Sequence, residues 1–452
     1  MKKLNVILVI VIAVLCLFGW SSLISQPIET NVNYKTYMKE ADALVEQRLY
    51  QRAILKYEDA LKEKSSEEVY LKINEAYKLR YAEEPEKTYE DYYDFLAQAV
   101  IQCPSNESIL DAYIEFCKKE EDYEEMYDCL INAKANGYDA KKADELLLIA
   151  KYAFTYKGSE RSGIRQSIGE YYTVSRENEW GVYTIEDGTI IPTDYKMIGL
   201  CDEDGTAVYT SNDSRLINID GMVLGIFEEI ITDAGVLSEG LIPACSNGVY
   251  NFYDEYGKKV FGGFEMAGMF QDGKAAVKKD GHWMFIDKEG NAVSDKYQEI
   301  VLDYAGRYIV NDTVLLSKKE GQYEICDENF KTHGAIQGND IDIYTEDGII
   351  AYCRDGKWGF VDADGEILIQ PEYDKAKSFS NGVAGVCKNG KWGFIDKTGT
   401  LVIDYQFSDV GYMQDEGMCP IRIDFPDEVS QMDEKYLENW NLLKLYIGIV
   451  EN

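Results

Sequence analysis

Asp355-Gly356-Lys357-Trp358-Gly359-Phe360-Val361-Asp362 is followed by Asn389-Gly390-Lys391-Trp392-Gly393-Phe394-Ile395-Asp396, with the two tryptophans 34 residues apart. The second copy reads as a β-meander. Gly382-Val383-Ala384-Gly385-Val386 has strand composition and ends at Asn389-Gly390, a tight-turn dipeptide suited to positive φ. A second strand runs from Trp392 to Ile395. Asp396-Lys397-Thr398-Gly399 then makes a turn in which the carboxylate accepts backbone N–H groups and the glycine takes the left-handed position. Leu401-Val402-Ile403 begins a third strand. Such a unit cannot bury its own apolar face and has to stack on neighbours.

Worn copies extend upstream. Aligning on the tryptophan gives Trp180, Leu216, Tyr250, Trp283, Tyr323, Trp358 and Trp392, with steps of 33 to 40 residues. Asp220, Asp254, Asp287, Asp327, Asp362 and Asp396 follow four residues later, and Thr184 takes that place in the first copy. The Lys-Trp-Gly-Phe-x-Asp cores, with Gly365 and Pro371-Glu372-Tyr373 downstream, resemble bacterial WG (KWG) repeats. The match is close at Trp358 and Trp392 and fair at Trp180 and Trp283, where Met284 replaces the glycine. It is weak at Leu216, Tyr250 and Tyr323. The resemblance implies a common bacterial repeat, often exported and joined to other modules, without a shared activity or shared site residues. The residues that define the repeat are Trp180, Trp283, Trp358, Gly359, Asp362, Trp392, Gly393 and Asp396, and their expected role is structural.

Seven units over 168–424 predict an all-β WG-repeat array, propeller-like, with an open β-solenoid arc as the alternative. A further strand, Gly417 to Ile423, is placed to cap or close it. Tyr436, Trp440, Leu443 and Ile447 recur at helical offsets, predicting a C-terminal helix over 425–452.

Ahead of the array, Gly158-Ser159-Glu160-Arg161-Ser162-Gly163 reads as a linker. Residues 34–160 show helical periodicity. Tyr37, Ala41 and Leu44 share one helix face; Ala53, Tyr57 and Ala60 share another, and the alanines permit close approach. This resembles a tetratricopeptide repeat running from Tyr34 to Glu67. Weaker copies carry Leu96, Ala99 and Pro104, then Leu110, Ile114, Cys117, Met126, Leu130 and Ala133, with a closing helix from Lys141 to Tyr156. At the N-terminus, Lys2 and Lys3 precede an apolar run from Leu4 to Trp20. Residues 1–25 therefore predict a signal anchor, a transmembrane helix with the C-terminal bulk outside a bacterial cell membrane, or a cleaved signal followed by secretion. The expected class is multidomain α plus β.

Net charge is −35 and tyrosine, at 35 copies, far outnumbers phenylalanine at 16. That field repels phosphate backbones, so nucleic acid is not an expected partner. Ten cysteines are scattered with no CxxC, which predicts free buried thiols and leaves disulfides open. The two histidines, His282 and His333, fall at a turn and in a loop. HExxH, GxSxG, P-loop and GxGxxG patterns are absent, so no enzyme activity, cofactor or metal is expected. Asp362-Ala363-Asp364-Gly365 opens like a calcium loop but lacks the later glutamate, and reads as turn capping. These features predict a membrane-anchored, outward-facing scaffold that binds proteins. The alternative is a cell-wall or carbohydrate-binding module using exposed aromatics. In either case binding residues are expected where the copies differ.

Overall fold

Each tight Asn-Gly or Asp-Gly pair turns a strand back on itself, and this repeats until a ring closes. In the computed structural model, residues 29–165, 168–184, 186–210, 212–414, 417–424 and 439–446 are described. Two compact units meet between Leu147 and Leu148.

The first unit is helical: α1 (Glu29–Glu46), α2 (Tyr50–Glu63), α3 (Glu67–Glu83), α4 (Pro85–Gln102), α5 (Glu107–Lys119), α6 (Tyr123–Ala135) and α7 (Ala140–Lys151), which runs across the boundary. From α1 to α6, each helix packs on the next. Ala41, Ala53 and Ala60 are fully buried, and Tyr57 fills the gap beside them, its hydroxyl donating 2.6 Å to Asp42. Asn106 and Asp122 accept from backbone N–H groups at the starts of α5 and α6. No helix among the described residues is long and apolar enough to cross a membrane. The single-pass membrane placement, with its bulk outside the cell, is therefore withdrawn. Residues 1–25, on which it rested, lie outside the described residues.

The second unit is an eight-bladed β-propeller rather than an array of seven. Blades 1 to 3 contain Gly163–Ile164 through Gly188–Tyr195, Met197–Ile198 through Val223–Ile226, and Asp233–Ala234 through Lys259–Phe264. Blade 4 has three strands, from Met266–Ala267 to His282–Ile286. Blades 5 to 7 run from Glu299–Ile300 to Thr332–Gln337, Asp340–Ile341 to Ile367–Tyr373, and Lys375–Ala376 to Leu401–Phe407. Neighbouring strands pair antiparallel in chain order.

Blade 8 corrects two expectations. Its strands are Asp409–Val410, Met418–Ile423, Asn439–Leu445 and, from the other end of the unit, Phe154–Arg161. The Gly/Ser-rich stretch read as a linker thus belongs in large part to the closing outer strand, where Phe154 pairs with Leu445 and Arg161 with Trp440. Trp440 and Leu443 lie on a strand, not a helix; Tyr436 and Ile447 fall outside the described residues. Trp440 pairs with Arg422 as Trp392 pairs with Cys387, so it is the eighth copy's tryptophan. Ile164, Tyr172 and Val174 of blade 1 share a core with Met418 and Leu442 of blade 8, which closes the ring.

Strand register also moves the second copy. Tyr209 pairs with Ser214, so Ser214 and not Leu216 holds the tryptophan position. The turn cap is accordingly Asn218, not Asp220: its Oδ1 accepts from Asp220 N at 3.1 Å and Met222 N at 2.8 Å.

Candidate functional site

The repeat-defining residues do structural work in the blades. Asp362 Oδ1 accepts from Asp364 N at 3.0 Å and Glu366 N at 2.9 Å; Asp396 Oδ1 does the same for Thr398 N and Thr400 N at 2.9 and 3.0 Å. The turn glycine that follows packs on the preceding blade. A Cβ on Gly365 would stand 2.5 Å from Ala335 O. Gly359 and Gly393 serve within their own blade. There a Cβ would meet Ile369 O at 2.5 Å or Ile403 O at 2.6 Å, because the outer strand bulges over the glycine. Where glycine is missing the outer strand changes. Blade 5 has Glu324 and pairs it in plain register with Ala335; blade 4 has Met284 and keeps only the isolated bridges Trp283–Tyr297 and Ile286–Ala292.

Trp283 and Trp392 are buried, and Trp180, Trp358 and Trp440 are half-buried. Each of these tryptophans sits beside a residue of the outer strand: Tyr195, Tyr297, Tyr373, Phe407 and Arg161. They stitch strands together within each blade. The nine cysteines among the described residues are free, and burial pushes thiols such as Cys201 and Cys419 up to about 12. His282 and His333 are exposed. No three metal-ligating side chains converge among the described residues.

The concave feature lies where the copies differ. A cavity of about 710 Å³ opens at the end of the ring that carries the loops between first and second strands. Blades 1, 5, 6, 7 and 8 supply its walls. Tyr304 and Arg307 come from the loop 301–312, longer than the matching loops 235–240 and 377–382 of blades 3 and 7. Tyr344, Thr345, Glu346 and Asp347 come from the corresponding loop of blade 6, and Glu170 and Glu186 from blade 1.

At this end of the ring, hydrogen bonds fasten the loops of blades 3 and 4, 4 and 5, 6 and 7, and 7 and 8. Ser238 Oγ donates to Phe270 O at 2.8 Å, Gln271 Nε2 to Ile309 O at 3.0 Å, Thr345 Oγ1 to Phe379 O, and Ser380 Oγ to Met413 O at 2.5 Å. Two of these bonds join neighbouring walls of the cavity, blade 6 to blade 7 and blade 7 to blade 8. Beside the cavity, Tyr304 stacks on Tyr412 with ring centres 5.9 Å apart. The Tyr412 hydroxyl donates to both oxygens of Asp342, at 2.7 and 2.8 Å, and Ser378 N donates to Oδ2 at 2.6 Å. Burial pushes the Asp342 carboxyl above its ordinary value, against the pull of the Lys377 ammonium and these hydrogen bonds. Burial next to that carboxylate also pushes Tyr412 far up, so it stays a donor.

Two wall carboxylates are internally neutralised. Asp303 pairs with Arg307 at 2.7 Å, and Asp347 with Lys397 at 2.7 Å. Glu170, Glu186 and Glu346 are exposed, and the Glu346 carboxylate interacts electrostatically with the Arg307 guanidinium. Tyr344 is only 7% exposed; its ring lies in the core between blades 5 and 6, and its hydroxyl has no partner among the described residues. Volume, partial enclosure and a few convergent polar groups are the marks of a ligand pocket.

Residues 252–283, 358–392 and 392–424 match the family model described as WG containing repeat. These stretches are WG repeats. No curated protein matches the chain. Among solved structures, BamB from Moraxella catarrhalis aligns with a TM-score of 0.46 at 10% identity, over 65% of this chain and 98% of that one. The computationally designed Ika8 protein aligns at 0.40 and 13%, over 65% and 98%. Kluyveromyces lactis Hsv2 aligns at 0.35 and 9%, over 60% and 94%. Scores this low carry no argument, and the count of eight blades rests on strand pairing.

None of the cavity residues was among the positions singled out from the sequence. One signal pointed to them. The step from Trp283 to Tyr323 is 40 residues, the longest in the series, and the excess lies in the loop that brings Tyr304 and Arg307 to the wall.

Proposed function

We propose that this chain is a protein-interaction scaffold whose WG-repeat propeller receives a segment of a partner at the cavity on the loop-bearing end of the ring. The observation that carries this reading is the cavity itself: five blades contribute to it, and hydrogen bonds tie its loops from blade 6 to blade 7 and from blade 7 to blade 8. Preorganisation lowers the ordering cost of binding. The helical unit, with buried alanines and tyrosines at tetratricopeptide-like positions, supplies a second surface of the kind that holds peptides. The reading assigns no reaction to the chain. The carbohydrate alternative is weaker, because Trp283 and Trp392 are buried.

The test is selection of a displayed random-peptide pool on the full chain and on Glu346→Trp, which plugs the cavity from an exposed position. Sequences enriched by the parent and lost with the plug support docking at the cavity. Enrichment that survives the plug, or no enrichment by the parent, refutes it.

A further inference from the structure

We infer that an apolar patch, where the outer strand of blade 2 meets a turn of blade 3, docks a partner protein's short apolar segment flanked by lysine or arginine. None of its residues lines the cavity, so this surface adds to the docking reading above and does not rest on it.

Hydrogen bonds and strand register identify equivalent positions in the blades, and three of these positions break the pattern. In blades 2 to 7 the turn-capping residue donates its backbone N–H to the carbonyl of the residue four ahead. That acceptor is Met222 in blade 2 and Lys258, Asn291, Lys331, Glu366 and Thr400 in the other five. Two residues after the cap, blade 3 has Tyr256, where the other five have Asp220, Glu289, Asn329, Asp364 and Thr398. On the outer strand, Gly225 pairs with Leu216 as Ile369 pairs with Phe360. The next residue is Ile226 in blade 2 and Pro192, Gly262, Ala335, Gln370 and Asp404 in blades 1, 3, 5, 6 and 7. Everywhere else these places hold charged, polar or small residues or proline, the usual guards of a sheet edge.

The three departures meet. Ile226 N donates to Tyr256 O at 3.1 Å, and a Cβ on Gly225 would stand 2.5 Å from Tyr256 C. Met222, Ile226 and Tyr256 are 60%, 58% and 67% exposed, and Val223 and Leu224 between them are exposed too. Single apolar residues on a surface mean little, whereas a continuous set marks a site of interaction.

Charge selects the occupant. Asp220, Glu228 and Glu255 are exposed within two residues of the three positions, and Lys258 is the one cation as close in sequence. An apolar centre with an acidic border is matched by apolar side chains with cations on either side. A second copy of the chain would bring the same acidic border and its own net charge of −35, so a foreign segment fits better.

A shallow patch holds a single short peptide weakly, so binding to the full chain is titrated directly by fluorescence anisotropy. The probes are labelled eight-residue peptides with two lysines at each end and four residues of leucine, isoleucine, phenylalanine or methionine between them. Matched forms carry glutamates at the ends or serines in the centre. A benzophenone-bearing form is crosslinked and mapped by mass spectrometry. The patch variant is Met222→Thr/Ile226→Gln/Tyr256→Thr; it leaves charge unchanged and introduces residue types that blades 6 and 7 carry at the same places, as Gln370, Thr398 and Thr400. The border variant is Asp220→Asn/Glu228→Gln/Glu255→Gln, and the control is Glu289→Gln/Glu328→Gln/Glu366→Gln.

The lysine-flanked apolar peptides should bind the parent, with crosslinks within 220–230 and 254–258. The patch variant and the serine-centred peptides should each lose about tenfold or more. The border variant should lose several-fold, less at high salt, and the control should stay within about twofold. Glu346→Trp should bind these peptides as the parent does. No binding by any peptide, unchanged binding by the patch variant, or crosslinks elsewhere would overturn the proposal. Equal losses in the border variant and the control would replace it with diffuse charge. A parent that dimerises in sedimentation, beside a monomeric patch variant, would assign the patch to a second copy and overturn the foreign partner.

Discussion

Three turn glycines separate backbone conformation from blade packing. Gly390, Gly399 and Gly365 all have positive φ, at +78°, +84° and +85°. The space around a hypothetical Cβ differs. Nothing lies within 4 Å at Gly390; Ile369 Cδ1, the tip of a side chain, lies at 3.5 Å for Gly399; Ala335 O, Ala335 C and Ala335 N lie at 2.5, 3.1 and 3.2 Å for Gly365. Alanine at any of the three should cost roughly 1–2 kcal/mol for the left-handed conformation. Gly365→Ala should cost about 1–3 kcal/mol more, because backbone atoms of blade 5 must move. Urea unfolding followed by tryptophan fluorescence reads the difference, since Trp358 and Trp392 sit in the blades concerned. Because the chain has two units, the comparison is between midpoints of the propeller transition rather than absolute stabilities. The expected order is Gly390→Ala close to Gly399→Ala, with Gly365→Ala clearly lower. If Gly365→Ala were as stable as Gly390→Ala, the repeat would keep this glycine for its turn alone, and the account of blade stacking through it would fail.

Other expectations follow from the same geometry. Trp392 is buried, and Trp392→Ala should cost about 3–5 kcal/mol, whereas half-buried Trp180→Ala should cost less; denaturant midpoints decide. Leu442→Ala, at the seam between blades 8 and 1, should cost about 2–5 kcal/mol and increase protease cleavage near 154–161, and unchanged proteolysis would argue against the seam. Asp342 gives a pH signature. Burial holds its folded pKa above the unfolded value, so between the two the folded chain binds more protons and this group's contribution falls as pH rises. The groups facing it include Lys377, which opposes the shift, and Tyr412. Asp342→Asn removes the titration, so its midpoint relative to the parent should improve as pH rises above about 4. A constant offset from pH 4 to 8 would contradict the stated environment of Asp342.

Much of the blade was legible because its signals are local. Asn389 and Gly390 have φ of +54° and +78°, as a tight hairpin requires, and the turn carboxylates bind N–H groups two and four residues ahead. What failed depended on partners distant in sequence. The Leu216 copy was misplaced by two residues because Ser214 and Asn218 hold the positions that tryptophan and aspartate hold elsewhere, and only pairing with Tyr209 reveals it. Trp440 lies 48 residues after Trp392, so the repeat period hid it, and apolar residues on a short strand were taken for helical spacing. The cavity was illegible for another reason. It is assembled from loops that share no motif, and only the ring brings Glu170 and Glu346 to one wall.

The choice between closed ring and open arc is decided by residues where the first blade meets the last. An arc would leave Ile164, Tyr172, Val174, Met418 and Leu442 facing water. Burying five such side chains is worth about 8–15 kcal/mol at the usual 1.5–3 kcal/mol each. Joining residues 161 and 439 through a flexible loop of that length would cost on the order of 5 kcal/mol by the logarithmic law. That figure is an upper bound here, because seven blades already order most of the span. Closure also pairs the edge of Asn439–Leu445, which an arc would leave as an open template for other chains. The outer strand of blade 8 therefore comes from the start of the unit for a physical reason: a ring seamed within one blade joins its ends by backbone hydrogen bonds as well as by apolar contact. The cavity depends on that seam. Glu170 belongs to blade 1 and Met413 to blade 8, so opening the ring would separate the two sides of the wall that the proposed peptide must touch together.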